Sequence, residues 1–188
     1  MIKEINYPIN VLSKNRWSPR AFSDKIVEKD KLHSIMEAAR WSASAFNEQP
    51  WRFLVAYKGE ESYQNIMDTL VEFNQMWAKK APVLILNCYR INLSRNGKHN
   101  QTAQYDLGQA VAHYSLEAIN QGLYIHQMTG FDVSKANKFF GLGEEIVAFS
   151  VTALGYIGGV DSLPEDIRKM EMAEPIRMHQ KDFLLNDL

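Results

Sequence analysis

Arg16-Trp17-Ser18-Pro19-Arg20-Ala21-Phe22 is the first of two segments that decide how this chain is interpreted. It places two guanidinium groups and a hydroxyl within five residues. The second segment, Ser42-Ala43-Ser44-Ala45-Phe46-Asn47-Glu48-Gln49-Pro50-Trp51, combines small residues with two carboxamides and two aromatic rings. Donors of this kind can hold a phosphate group and the polar edge of a flat heterocycle.

The residues between the two segments predict a helix, because apolar side chains recur there at helical spacing. Asp24 or the acidic stretch 28–30 would supply the negative charge that favours a helix amino terminus. Residues 51–57 alternate and are rich in β-prone side chains, so they predict a strand. The apolar stripe of the helix is Leu32, Ile35, Met36 and Ala39.

Each segment alone also permits a simpler interpretation. Arg16 and Arg20 are compatible with solvated surface charges, and residues 47–51 with a helix end followed by the start of a strand. The order of loop, helix, loop and strand favours a functional interpretation, because it brings the two polar loops to comparable positions.

In this order, the two segments resemble the amino-terminal signature of the nitroreductase family, whose members are flavin mononucleotide (FMN) oxidoreductases. The resemblance covers most of the chain and is strongest over residues 16–57. It implies an α+β fold, an α/β sandwich in which a mainly antiparallel mixed sheet is flanked by helices. It also implies a homodimer whose chain termini wrap the neighbouring subunit.

Composition indicates a globular protein, and 188 residues predict a single domain over 1–188. A net charge of −1 gives no reason to expect nucleic acid or a membrane as partner. The longest apolar run, 82–86, is strand-sized, and residues 1–6 lack the apolar core of a signal peptide. The single cysteine, Cys88, is expected to be a buried structural thiol, and a cytoplasmic location is expected.

The rest of the chain predicts alternating helices and strands. Helices are expected from Tyr63 to about Asn74, over Leu107–Ala118, and from an Asp132 cap through Phe140. Strands are expected over Pro82–Tyr89, Leu123–Met128 and Ile146–Tyr156. The polar stretch Ile91–Gln104 predicts a mobile loop. The part from Asp161 shows little periodicity and is expected to stay loose or to lie against a partner.

The family resemblance assigns the first segment to the cofactor. Arg16 would bind the FMN phosphate, Ser18 would donate nearby, and Arg20 would approach the pyrimidine edge of the flavin. The division is physically sensible, because the phosphate carries roughly −1.5 to −2 charges near neutral pH and an arginine fork donates paired hydrogen bonds to it. A reduced flavin also develops negative charge on its pyrimidine side, which a nearby cation stabilises.

The resemblance assigns the second segment to the flavin of the opposite subunit. Ala43, Ser44 and Asn47 match positions that contact that flavin, and Asn47 can both donate and accept hydrogen bonds. Asp106 matches a position that can reach the partner's cofactor. As a simpler alternative, Asp106 is a first-turn acid favoured by the helix dipole.

Further positions match the family at the flavin ring. Asn74 matches an asparagine at the pyrimidine edge, although a surface residue at a helix end is an alternative. Trp77 replaces a lysine that some members place near the flavin carbonyl. This replacement shifts anion stabilisation towards Arg20, and it suggests that an indole lines the substrate pocket.

The last implied contacts lie in the second half of the chain. Thr129 and Gly130 match a short loop whose backbone N–H groups face flavin N5, and the glycine permits close approach. Arg177 and His179 fall where the family often has two basic residues at the phosphate.

The resemblance implies an FMN-dependent enzyme that uses NADH or NADPH to reduce nitroaromatics, quinones or related small-molecule acceptors by a ping-pong mechanism. The hydride chemistry takes place at flavin N5, so no side chain is assigned as catalytic. Alternatives are a relative with other chemistry, such as reductive dehalogenation or flavin-consuming reactions, and a flavin-binding module with little turnover. No metal site is expected, because the five histidines lack paired ligand spacing.

Overall fold

The structure is a computed structural model that describes residues 5–186. Its helices are α1 (Val11–Asn15), α2 (Lys29–Arg40), α3 (Glu61–Thr69), α4 (Glu72–Ala78), α5 (Ala103–Asn120), α6 (Val133–Phe140) and α7 (Glu165–Met172). Its strands are β1 (Trp51–Tyr57), β2 (Val83–Arg90), β3 (Tyr124–Met128) and β4 (Ile146–Gly155). The expectation that residues 1–6 hold no signal peptide falls mostly outside the described range.

The four strands form one sheet in the order β1-β2-β4-β3, and every neighbouring pair in it is antiparallel. The expected α+β fold with a mainly antiparallel sheet is therefore confirmed. β1 pairs with β2 from Trp51 opposite Tyr89 to Tyr57 opposite Val83. The register between β2 and β4 shifts at Asn87 and Cys88, a β-bulge of the kind that re-aims side chains.

Helices cover both faces of the sheet. Val83 and Ile85 of β2 join a core with α2 and α5. Leu84 and Leu86 point the other way and join a core with α3, α4, α6 and α7. Because both faces are covered, β2 is buried along nearly its whole length and its sequence is a continuous apolar run. The expected burial of Cys88 is confirmed, and burial raises the pKa of its thiol to about 12.

The helix expected from Tyr63 to about Asn74 is wrong, because the chain forms α3 and α4 with a break between them. Leu70 and Val71 are extended at the break. There the backbone pairs with the segment after β3: Val71 N–H donates to the Gly130 carbonyl, and Leu70 bridges Phe131. This pairing between distant segments brings α4 against the loop that follows β3.

Two further expectations change. The part from Asp161 is not uniformly loose, because α7 forms there and buries Ile167 and Glu171. α5 begins at Ala103, so the helix starts inside the stretch expected to be a loop. Within residues 5–186, no helix combines the length and the apolar character needed to cross a membrane.

Candidate functional site

The first segment lies beside a cleft formed with the carboxy-terminal part of the chain. Arg16 directly follows α1, and its Nη1 lies 3.5 Å from the Ser18 hydroxyl, to which it donates. The cleft measures about 780 Å³, and Arg16, Arg177 and His179 line it together with Glu174. Three of the residues predicted to contact the phosphate therefore share one cleft.

The charge balance in this cleft favours an anion. Partial burial, and then the neighbouring Arg177 guanidinium, lower the pKa of Arg16. Two guanidiniums that repel each other are stabilised when an anion lies between them. Glu174 is the one carboxylate among the described residues that line the cleft, against two arginines and a histidine in the same lining.

Arg20 is held from two sides at its backbone. Its N–H lies 2.9 Å from both carboxylate oxygens of Glu171, and the next N–H, of Ala21, lies 3.1 Å from Oε1. On the other side, His126 Nδ1 lies 3.0 Å from the Pro19 carbonyl oxygen. The guanidinium itself reaches Glu171 only at 3.8 Å, and its Nε has no hydrogen-bond partner among the described residues.

His126 lies in a largely enclosed site between Arg20 and Trp77. Its ring centroid is 4.5 Å from that of Trp77. Burial, and then the Arg20 cation, lower the pKa of His126 to about 4. The ring is therefore neutral at pH 7, with the Nδ1 proton donated to Pro19. Trp77 is fully buried in the core, so the suggestion that it lines a substrate pocket is wrong.

Asn74 and Gly130 meet directly. Asn74 Nδ2 donates to the Gly130 carbonyl oxygen at 3.1 Å. A Cβ at Gly130 would lie 2.9 Å from Asn74 Nδ2 and 3.0 Å from Val71 Cγ2, so only glycine fits without a shift of its neighbours. Thr129 beside it is exposed. The structure thus places Asn74 against the loop of Thr129 and Gly130, and contact of these three residues with a flavin stays a prediction.

The second segment contains an unusual run of left-handed backbone. Phe46, Asn47 and Gln49 have φ values of 54°, 56° and 48°. Non-glycine residues in this region cost on the order of 1 kcal/mol each and cluster at functional sites. The turn is closed by Ser44, whose hydroxyl accepts from Gln49 N–H at 3.0 Å. Ala43 and Asn47 are exposed, and Ser44 is half-buried.

Glu48 fastens this segment to residues 91–100. Its buried carboxylate accepts from the backbone N–H and the hydroxyl of Ser94 at 2.7 and 2.6 Å. Arg90 and Arg95 also approach it, at 3.5 and 3.9 Å. The hydrogen bonds from Ser94 hold the pKa of Glu48 below its ordinary value. The Arg95 guanidinium in turn covers the exposed Phe46 ring at 3.8 Å.

Asp106 supports the second segment from within the same chain. The residue is buried, and Oδ2 accepts from the Ala45 N–H at 3.2 Å and from the Thr102 hydroxyl at 3.0 Å. These contacts give the carboxylate a positioning role for the loop that carries Ala43, Ser44 and Asn47. Contact between Asp106 and a partner's cofactor stays a prediction.

Sequence reasoning missed three residues that hold these loops, namely Glu48, His126 and Glu171. Glu171 lies in the segment without clear periodicity, and its partners are about 150 positions earlier in the chain. His126 sits within a short strand and no motif marks it. Only Glu48 could have been found from the sequence, because it lies inside the second segment beside Asn47, a predicted cofactor contact.

The geometry defines an α+β protein with two polar loops. The first segment lies beside the basic cleft, and the second contains the turn with left-handed backbone. Residues 13–72 match the model of the nitroreductase family. A solved structure named "The crystal structure of the oxidoreductase containing FMN" has 30% sequence identity and a TM-score of 0.91, covering 97% of this chain and 93% of that one. The chain belongs to the nitroreductase family.

Two curated proteins are also similar to this chain. The "Uncharacterized 15.4 kDa protein in ask 5'region" of Mycolicibacterium smegmatis is 31% identical over 130 residues, which are 64% of this chain and 84% of the relative. The "Putative NADH dehydrogenase/NAD(P)H nitroreductase" of Methanothermobacter thermautotrophicus is 26% identical over 172 residues, 88% of this chain and 83% of the relative.

Proposed function

We propose that this protein is an FMN-dependent oxidoreductase that uses NADH or NADPH to reduce nitroaromatics, quinones or related acceptors. The observation that carries the proposal is the cleft that Arg16, Arg177 and His179 line beside the first polar loop. The similar structure is named as containing FMN, and the archaeal relative is named as an NAD(P)H nitroreductase. FMN, when bound, would supply the redox chemistry, namely hydride transfer from the nicotinamide and electron transfer to the acceptor.

The donor set of the cleft fits a phosphate. Arg16 and Arg177 offer planar forks, and His179 is an exposed third donor. Ser18 lies beside Arg16 and adds a hydroxyl. The Glu174 carboxylate in the lining disfavours a larger negative charge, so a single phosphate group is a better match than a polyphosphate.

The remaining residues orient the ring. Arg20 offers guanidinium donors that the described residues leave without a hydrogen bond, which suits the carbonyl groups of a pyrimidine edge. Asn74 is held against the loop of Thr129 and Gly130, because its amide donates to the Gly130 carbonyl oxygen and only a glycine leaves room for it there. This contact fixes the amide at a position where it can meet a flavin ring. In this arrangement no side chain acts as nucleophile, and the protein binds, orients and excludes water.

The second segment completes the site from a partner subunit in this proposal. Ala43, Ser44 and Asn47 lie on a turn that Asp106 and Glu48 hold in one geometry. Exposed apolar residues at both chain ends, such as Tyr7, Ile9, Ile176 and Phe183, are of the kind that a subunit interface covers. A homodimer with two shared flavin sites accounts for both features.

The direct test is the cofactor itself. The purified protein should be yellow and should release FMN, not FAD, on denaturation. With excess NADH or NADPH and an acceptor such as a quinone, it should oxidise the nicotinamide at steady state. A colourless protein that gains no flavin absorbance with excess FMN contradicts the proposal.

A further inference from the structure

We infer that Glu171 and His126 are positioning residues that clamp one peptide unit and thereby set the charge that Arg20 presents to the cofactor. This inference rests on the proposed function, because it assumes a flavin beside Arg20. Glu171 lies on α7 and His126 on β3, so the carboxy-terminal helix and the sheet act on the same point of the first loop.

The clamp acts on the peptide between Pro19 and Arg20. Its carbonyl oxygen accepts from His126 Nδ1 at 3.0 Å, and its N–H donates to the Glu171 carboxylate at 2.9 Å. A peptide is planar, so fixing both of its polar atoms fixes the direction in which the Arg20 Cα leaves it. Glu171 and His126 both lie outside the two signature segments. Both side chains are largely shielded from solvent.

Glu171 also lies near the Arg20 guanidinium, but it accepts no hydrogen bond from it. The carboxylate side chain is 1% exposed and uses its oxygens on the N–H groups of Arg20 and Ala21. The guanidinium lies 3.8 Å away, close enough for the negative charge to offset part of its positive charge but too far for a hydrogen bond. Its donors therefore remain for the flavin, while Glu171 limits how strongly Arg20 stabilises the negative charge that a flavin gains on reduction.

The test compares two substitutions on the same helix. Glu171→Gln removes the carboxylate charge but keeps an oxygen that accepts from the clamped peptide. Glu165→Gln removes the same charge from an exposed position that pairs with Lys169 and Arg168. We expect Glu171→Gln to shift the midpoint potential of bound FMN to a more positive value in spectroelectrochemical titration, and Glu165→Gln to leave it where it is in the wild type.

A second variant tests the other side of the clamp. His126→Phe keeps a ring against Trp77 but removes the donor to the Pro19 carbonyl. Arg20 should then be held less firmly, so the potential should become more negative and the FMN Kd should rise roughly three- to ten-fold, the effect of losing about one hydrogen bond. The His126→Phe measurements still test the clamp if Glu171→Gln does not fold.

The outcomes separate this inference from the proposed function. A wild-type protein that binds no FMN contradicts the proposed function before any variant is compared. A wild type that binds FMN, with equal potentials for Glu171→Gln and Glu165→Gln, overturns the charge effect of Glu171. Unchanged potential and unchanged FMN Kd in His126→Phe overturn the clamp.

Discussion

At the scale of single residues, Arg16 and Arg20 lie four positions apart and meet different surroundings. Arg16 faces a second guanidinium, which lowers its pKa after the larger effect of burial. Arg20 faces a buried carboxylate that is occupied by backbone N–H groups. The sequence indicated a division between phosphate and ring, but not Glu171, because a contact across about 150 positions leaves no local pattern.

Arg16→Ala should weaken FMN binding. The loss of a charge-assisted hydrogen bond costs on the order of 1.5–3 kcal/mol, or about ten- to a hundred-fold in Kd. Fluorescence titration of apoprotein with FMN measures the change. Lys58→Ala is the control, because Lys58 forms an exposed pair with Asp24 outside the cleft. Equal Kd values for the two variants would remove Arg16 from the site.

His126 should make the stability of the apoprotein depend on pH. Its folded pKa of about 4 is below the ordinary value, so the unfolded chain takes up the proton first as pH falls. The contribution of the neutral ring is present at pH 7 and is lost as pH falls from about 6.5 towards 4. Between pH 7 and 4.5 this should cost roughly 2–3 kcal/mol of unfolding free energy.

Urea unfolding at the two pH values measures this loss, with bound flavin stripped from every protein. His126→Phe has no imidazole at position 126, so it should lose less stability than the wild type between pH 7 and pH 4.5. The matched control is His113→Phe, because His113 is exposed on α5. Identical losses in wild type and His126→Phe would show that another group controls the acid response.

At the scale of secondary structure, the sequence predicted the strands well, but it predicted some helices and missed others. β1, β2 and β4 follow from apolar runs and alternation, and α6 from its Asp132 cap and Gly141 end. The break between α3 and α4 was not predictable, because its cause is pairing with residues 130 and 131. α7 was missed because only Ile167 and Glu171 of its eight residues are buried, too few for a clear stripe.

Gly130→Ala tests the close contact of Asn74 and Val71 with Gly130 at this break. The new Cβ would meet Asn74 Nδ2 at 2.9 Å and Val71 Cγ2 at 3.0 Å, so Asn74 must move. We expect a higher FMN Kd and a loss of about 1–3 kcal/mol in unfolding free energy, the usual range for overpacking. Equilibrium titration with FMN and urea unfolding report the two effects.

Gly108→Ala is the matched control. Gly108 lies within α5 with nothing within 4 Å of its would-be Cβ, so alanine should add about 0.5–1 kcal/mol of stability and leave FMN affinity unchanged. A Gly130→Ala variant that keeps the wild-type FMN affinity and loses no stability would show that the close approach of Asn74 is unimportant for the site.

At the scale of the whole molecule, the predicted site residues form two sets. Hydrogen bonds join the second segment to Asp106 and to residues 91–100. Arg16 shares a cleft with Arg177 and His179, and Asn74 bonds to Gly130. Both ends of the chain expose apolar side chains, among them Ile176 at 86% and Tyr7 at 61%. The family resemblance predicts that members of both sets contact a flavin, and this contact stays a prediction, whereas composition alone gave no sign of a partner.

The shared-site dimer predicts about twice the 21.6 kDa chain mass in light scattering, and it predicts complementation between variants. Arg16→Ala and Asn47→Ala chains should each bind FMN weakly. After subunit exchange, their heterodimer has one site with both lesions and one with neither, so FMN binding should partly recover. Arg16→Ala mixed with Arg177→Ala is the control. Both residues lie on one side of the site, so every heterodimer site keeps one lesion and nothing should recover. Equal behaviour of the two mixtures, or a stable monomer that binds FMN at full strength, would exclude a site built from two subunits.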